Sequence, residues 1–245
     1  MIGISSMPPC GLGNRIIYYY NLRQQAHYKG VEYFCSPWPG HELFSGPILG
    51  NYPPKESYEE AKLVLGSGFF QDSGITTREV FQLKDKPQIP DHTCGIHIRG
   101  GDYVSHYKRV GDDGYFLPPV EYYINSVEST KAEVESYVLF TDDVSWVNEE
   151  YSKLLKYFKD SDLKLLTGQN SLDRSMYAND FMIMSECDYL ISAPSTYSVC
   201  SGFIGREKKI IHSRRFLEWK NEEGDKFWAD LYAGGNEDYK LWRMI

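Results

Sequence analysis

From Cys94 to Ser213 short apolar runs alternate with longer amphipathic ones, and this rhythm restricts the fold more than any other feature of the chain. Strands are predicted at 94–98, 136–143, 162–167, 188–193 and 208–213, with helices near 118–129, 145–158, 171–187 and 198–205. Strands joined through helices run parallel, and such a sheet must be covered on both faces. Ahead of this region, MIGISS, the turn MPPCGLGN, RIIYYYNLRQQAHYKG and VEYFCSP form one more β-α-β unit. Two prolines and mixed charge mark Leu83–Thr93 as a linker. The expected organisation is therefore α/β, with a first domain over 1–90 and a second over 91–245.

A net charge of −8 argues against a nucleic-acid partner, because affinity for a phosphate backbone comes largely from Lys and Arg. The five cysteines stand singly, without zinc-type spacing, and read as reduced and mostly buried. No apolar run is long enough to span a bilayer, and the N-terminus lacks a signal-peptide pattern. A cytoplasmic protein without a transmembrane segment is expected.

Ligands of parallel sheets bind at the C-terminal ends of the strands, so the loops after each strand are the places to look for chemistry. In CGIHIRGGDYV, strand alternation puts His97 and Arg99 on one face and Ile96 and Ile98 on the other. Arg99 thus stands at the strand's mouth, and its planar donors suit a phosphate that Gly100 and Gly101 let the backbone approach. A structural ion pair between Arg99 and Asp102 around a glycine turn fits the pattern equally well.

In DFMIMSECDYLISAPSTYS, Asp180 interrupts a helical stripe of Met176, Ile183 and Cys187 and needs a partner. The paired N–H donors of guanine would serve, and so would a hydrogen bond from a neighbouring loop. Ser195, Thr196 and Ser198 open the next helix, where hydroxyls and N–H groups bind phosphate or simply cap the helix. The CGLGNR turn brings Gly11, Gly13, Asn14 and Arg15 to the C-terminal edge of the first unit as further donor-binding candidates, with Asn14 equally able to satisfy only local backbone groups. As a dinucleotide fingerprint it fails, because Ile16 stands where the third glycine belongs. Asp160–Asp162 has a D-x-D spacing but falls at the wrong edge for a metal site, and Thr141–Asp143 reads as an acidic turn.

Taken in order, CGLGNR, HIRGGDY, FTDD and DFMIMSECDYLISAPSTYS make the chain resemble glycosyltransferase family 11, the α-1,2-fucosyltransferases, over roughly residues 9–205. The resemblance implies a GT-B-like arrangement, two Rossmann-like domains with mainly parallel sheets and an interdomain cleft. It also implies a metal-independent, inverting glycosyltransferase that moves fucose from GDP-fucose to a sugar hydroxyl, α-1,2 on a galactoside, with no cofactor. By similarity His97 holds the nucleoside end, Arg99 the β-phosphate, Asp180 the guanine, and Ser195, Thr196, Tyr197 and Ser198 the diphosphate. Asp102 completes the expected catalytic pair, as a base or as the group that fixes Arg99.

The family's second arginine is Gly100 here, which removes a charge expected near the leaving group. Arg15, Lys108 or Arg174 can compensate. The acceptor's base is open among Asp72, Asp112 and Asp113, and Trp38 and Tyr52 either stack on sugars or pack internally. Two rival readings stand beside the transferase: an inactive glycan- or nucleotide-binding relative, and an NAD(P)-dependent oxidoreductase with Glu32 as the ribose acid.

Overall fold

A computed structural model describes residues 1–45, 53–63, 75–110, 117–167, 174–206, 209–212 and 242–244. The chain begins with β1 (Ile2–Ile4), α1 (Leu12–Lys29) and β2 (Tyr33–Cys35). Helix α1 stops where Gly30 turns left-handed at φ 62°, donating its N–H to the carbonyls of Ala26 and His27. Next come α2 (Gly40–Leu43), β3 (Phe44–Ser45), β4 (Glu59–Glu60), α3 (Thr77–Val80) and β5 (Gln82–Leu83). Strands β2, β1 and β4 form a parallel sheet in that order, and β3 pairs antiparallel with β5.

The remainder of the chain builds the larger sheet. Its elements are β6 (Thr93–Ile98), α4 (Asp102–Val110), α5 (Val120–Thr130), β7 (Ser136–Thr141), α6 (Val144–Glu150), α7 (Ser152–Asp160) and β8 (Leu165–Thr167). They continue with α8 (Arg174–Glu186), β9 (Tyr189–Ile191), α9 (Thr196–Phe203), β10 (Lys209–His212) and β11 (Trp242–Met244). All six strands are parallel, in the order β11-β10-β9-β6-β7-β8. This is the strand order of a doubly wound Rossmann sheet, with its topological switch point between β6 and β9. The expected α/β class with parallel sheets is therefore the observed one.

Alternation along the strands divides the core. Cys94, Ile96, Ile98, Leu139, Ile191 and Ile211 face one cluster with α5 and α7, through Tyr123, Val127, Leu154 and Phe158. On the opposite face Phe140, Leu190 and Ile210 join α8 and α9 in a second cluster, which continues into β1, α1 and β5. The two sheets thus share one apolar layer. Arg206 adds a polar strap, bonding Asp188 (2.9 Å), Asp91 (3.1 Å) and the carbonyl of Ile89 (3.4 Å) within the Leu83–Thr93 segment.

Several local features differ from the sequence expectation, which held none of α2, β3, β4, α3, β5 and β11. The single helix expected over 145–158 is broken at Tyr151, whose hydroxyl donates to the Pro118 carbonyl at 2.6 Å while its ring packs on Tyr123 and Trp146. A helix absent from the expectation, α4, starts directly after the Gly100–Gly101 turn. Among the described residues no helix is long and apolar enough to cross a membrane.

The junction of α1 with α9 leaves no room for a side chain at Gly13. A Cβ there would lie 2.4 Å from the Thr196 carbonyl carbon and 2.5 Å from the Tyr197 nitrogen, both backbone atoms. Gly13→Ala is expected to destabilise the fold by about 1–3 kcal/mol, the usual cost of overpacking. Urea denaturation measures this, and an unchanged midpoint would contradict the tight junction.

Candidate active site

At a switch point the loops after the two neighbouring strands diverge and leave a crevice at their C-terminal ends. Here those loops are Arg99–Gly101 after β6 and Ser192–Ser195 after β9. Two hydroxyls of α5 hold the rims. Tyr122 donates a shared hydrogen bond to the carbonyls of Ser192 (2.9 Å) and Ile211 (3.1 Å), and Tyr123 donates to that of His97 (3.3 Å).

His97 is 4% exposed and faces away from Ile96 and Ile98, as strand alternation requires. Its ring meets that of Tyr197 in the first turn of α9 at 5.6 Å, and Tyr197 meets Phe181 of α8 at 5.4 Å. An aromatic wall therefore runs from β6 through α9 to α8. Burial, reinforced by the Arg99 charge, pushes the His97 pKa down to about 3, so the imidazole stays neutral. Its Nδ1 has no hydrogen-bond partner among the described residues.

Arg99 lies between two carboxylates. It donates to Asp102 at 2.5 Å and to Asp142, and it sits over the Tyr103 ring with 5.2 Å to the centroid. The ion pair with Asp102 is the structural alternative read from the sequence. Asp142 read there only as part of an acidic turn, although strand register points to Arg99 as its partner: Ile98 pairs with Thr141, so the residues that follow both strands are neighbours. Asp143, next to it, caps α6 by accepting the Trp146 N–H at 3.0 Å, as an acidic turn residue does.

Asp180 is half-buried beside the fully buried Phe181. It has no hydrogen-bond or ion-pair partner among the described residues. Desolvation raises its pKa from 3.8 to about 6.

The α9 loop combines capping with contact to the first unit. Ser195 caps the helix, its hydroxyl accepting the Tyr197 N–H at 3.3 Å. The Ser198 hydroxyl is fully buried and donates inward, with the Ala193 carbonyl at 2.9 Å. Thr196 donates to Asn14 Oδ1 at 2.7 Å, and with the Gly13 contact this joins the N-termini of α1 and α9. Both positive helix ends thus converge on one place, an arrangement suited to an anion. Gly11 stands exposed at the N-cap of α1 without a side-chain cap, and Arg15 donates from Nε to the Pro8 carbonyl at 3.1 Å.

Of the other candidates, Trp38 is a core residue packed on Tyr19. Ile16 is buried and Glu32 exposed, and Lys108 lies exposed on the last turn of α4. Asp160 forms an ion pair with Lys156 at the N-terminal edge of the sheet. Tyr52, Asp72, Asp112, Asp113 and the Arg174 side chain lie outside the described residues. Among the described residues no group of three or more His, Cys, Asp and Glu could hold a metal ion.

Comparison with known proteins bears on the family of the chain. A galactoside 2-alpha-L-fucosyltransferase of Caenorhabditis elegans is 26% identical over 150 residues, 60% of this chain and 38% of the relative. A phosphatidylinositol transfer protein of Saccharomyces cerevisiae, PDR17, is 30% identical over 102 residues, 38% of this chain and 29% of the relative. The chain thus spans well under half the length of these curated relatives. The sequence model of glycosyl transferase family 11 matches residues 78–222, which include the β6 and β9 loops, α8 and α9. With more than half of its length in that match, the chain belongs to glycosyl transferase family 11.

Proposed function

We propose that the protein is a fucosyltransferase that moves fucose from GDP-fucose to a sugar hydroxyl, in an α-1,2 linkage on a galactoside, with the donor lying across the β6/β9 switch point. The observation that carries this reading is Asp180, a half-buried carboxylate with a raised pKa and no protein partner among the described residues. Guanine offers two adjacent N–H donors that satisfy such a group in a bidentate way. The wall of His97, Tyr197 and Phe181 supplies an apolar flank for the nucleoside.

In this reading the diphosphate lies where α1 and α9 meet, against their first-turn N–H groups, Asn14, Arg15 and Thr196. Ser195 and Ser198 then act indirectly, by holding the loop in shape, since both hydroxyls serve the α9 turn. The first unit, residues 1–90, forms the acceptor side of an interdomain cleft.

Transfer proceeds by in-line displacement. The acceptor oxygen attacks the anomeric carbon, the bond from that carbon to the β-phosphate oxygen breaks with its electron pair, and the acceptor proton leaves to a base. Negative charge grows on the diphosphate in the transition state. The Arg99 guanidinium and the converging helix ends stabilise it by the logic of an oxyanion hole, with no step assigned to a metal.

Two outcomes test the reading. Arg99→Ala is expected to lower kcat by about a hundredfold, the usual loss on deleting one such donor. Steady-state transfer assays measure it, and near-normal turnover removes Arg99 from the mechanism.

Asp180 makes opposite predictions for binding and stability. The donor KM should rise as pH falls below about 6, because guanine needs the ionised carboxylate. Between about 3.8 and 6 the folded protein keeps a proton that the unfolded chain has released, so this group's contribution to stability falls as pH rises through that window. Asp180→Asn should therefore melt higher than wild type at pH 8 while losing its response to GDP. A variant that melts lower and still binds GDP would refute the assignment.

A further inference from the structure

The contacts of Asp142 go beyond those of an acidic turn. One carboxylate oxygen accepts the Gly100 N–H at 2.7 Å, and the other pairs with Arg99. A single carboxylate therefore ties the guanidinium to the backbone of its own loop. Asp102 also bonds Arg99, but its side chain is 69% exposed against 26% for Asp142, and it bonds from the helix that follows. Asp142 is the anchored partner of the two.

The two glycines fit this carboxylate. A Cβ at Gly100 would lie 2.7 Å from the Asp143 Cβ and 3.1 Å from the Trp146 ring. A Cβ at Gly101, which has φ 51°, would lie 2.7 Å from Asp142 Oδ2. The β7 loop thus occupies the space that a side chain at Gly100 would need.

We infer that Asp142 is a positioning residue for the reaction, holding the Arg99 guanidinium toward the leaving diphosphate, and that Gly100 stands in place of an arginine because Asp142 and Asp143 close over it. The inference rests on the fucosyl-transfer reading above. A carboxylate that accepts from both the guanidinium and the loop backbone removes rotamer freedom from a long side chain, so the donor need not be reoriented as charge develops.

The test is a double-mutant cycle on release of fucose from GDP-fucose. Asp142→Asn keeps an acceptor for the Gly100 N–H but no longer offers Arg99 a carboxylate. It is expected to lower kcat by about tenfold or more, since misplacing a reacting group by about 1 Å costs on the order of a hundredfold. In an Arg99→Ala background the same change should have no further effect on kcat, because Asp142 acts through Arg99. Asp142→Glu, which restores a carboxylate, should recover part of the rate, and it keeps the test available if the asparagine variant does not fold.

A merely structural Asp142 predicts a different pattern: equal losses in both backgrounds that follow the drop in melting temperature. That pattern, or wild-type kcat in Asp142→Asn, would overturn the inference. Calorimetric titration of wild type with GDP separates the two levels. A wild-type protein that neither binds GDP nor releases fucose removes the donor reading and this inference with it. One that does both, with Asp142→Asn unchanged, removes only the inference.

Discussion

The backbone-on-backbone contact of Gly13 with Thr196 and Tyr197 is the constraint on which the arrangement of the site depends. It brings the first turn of an 18-residue helix from one sheet against the first turn of a helix from the other, with the Thr196–Asn14 hydrogen bond beside it. Because the apolar layer around Tyr20, Phe181, Val199 and Phe203 is shared by both sheets, the contact rests on packed core. Two positive helix ends are thereby held together, the preorganisation that the proposed charge stabilisation requires.

At the other rim of the crevice, Gly100 raises a question that is local to this chain. Reading it only as a lost positive charge predicts a weakened site. The structure adds a second consequence, because a loop without side chains at residues 100 and 101 lets the β7 carboxylate bond the backbone and the remaining arginine together. Charge is reduced while order is increased. The proposed mechanism therefore relies on one well-held guanidinium and the helix ends.

The sheet was legible because its strands are short apolar runs separated by amphipathic segments, and burial on both faces leaves few other solutions. The facing of His97 opposite Ile96 and Ile98 followed from strand alternation alone, and the odd position of Asp180 followed from helical periodicity. Less legible was whatever depends on two distant segments meeting. The capping reading of Ser195 was open in the sequence, but the inward hydrogen bond of Ser198 appears only once β9 and α9 are packed. Gly13 read as a turn residue, and its purpose lies in α9, far along the chain. Asp142 is the intermediate case: register between β6 and β7 would have paired it with Arg99, but strand order had to be known first. The break at Tyr151 was hidden because the sequence on both sides of it keeps a helical pattern.

The central claim is that a guanine nucleotide binds at the switch point through Asp180, and a thermal-shift panel of GDP, GDP-fucose, GDP-mannose, UDP-galactose and NAD tests it most directly. A ligand at about 100 times its Kd adds about 2.7 kcal/mol to native stability, enough to move the transition visibly. The account predicts stabilisation by GDP and GDP-fucose, none by UDP-galactose or NAD, and loss of the guanine response in Asp180→Ala. No shift with any guanine nucleotide, or an equal shift in Asp180→Ala, would contradict it.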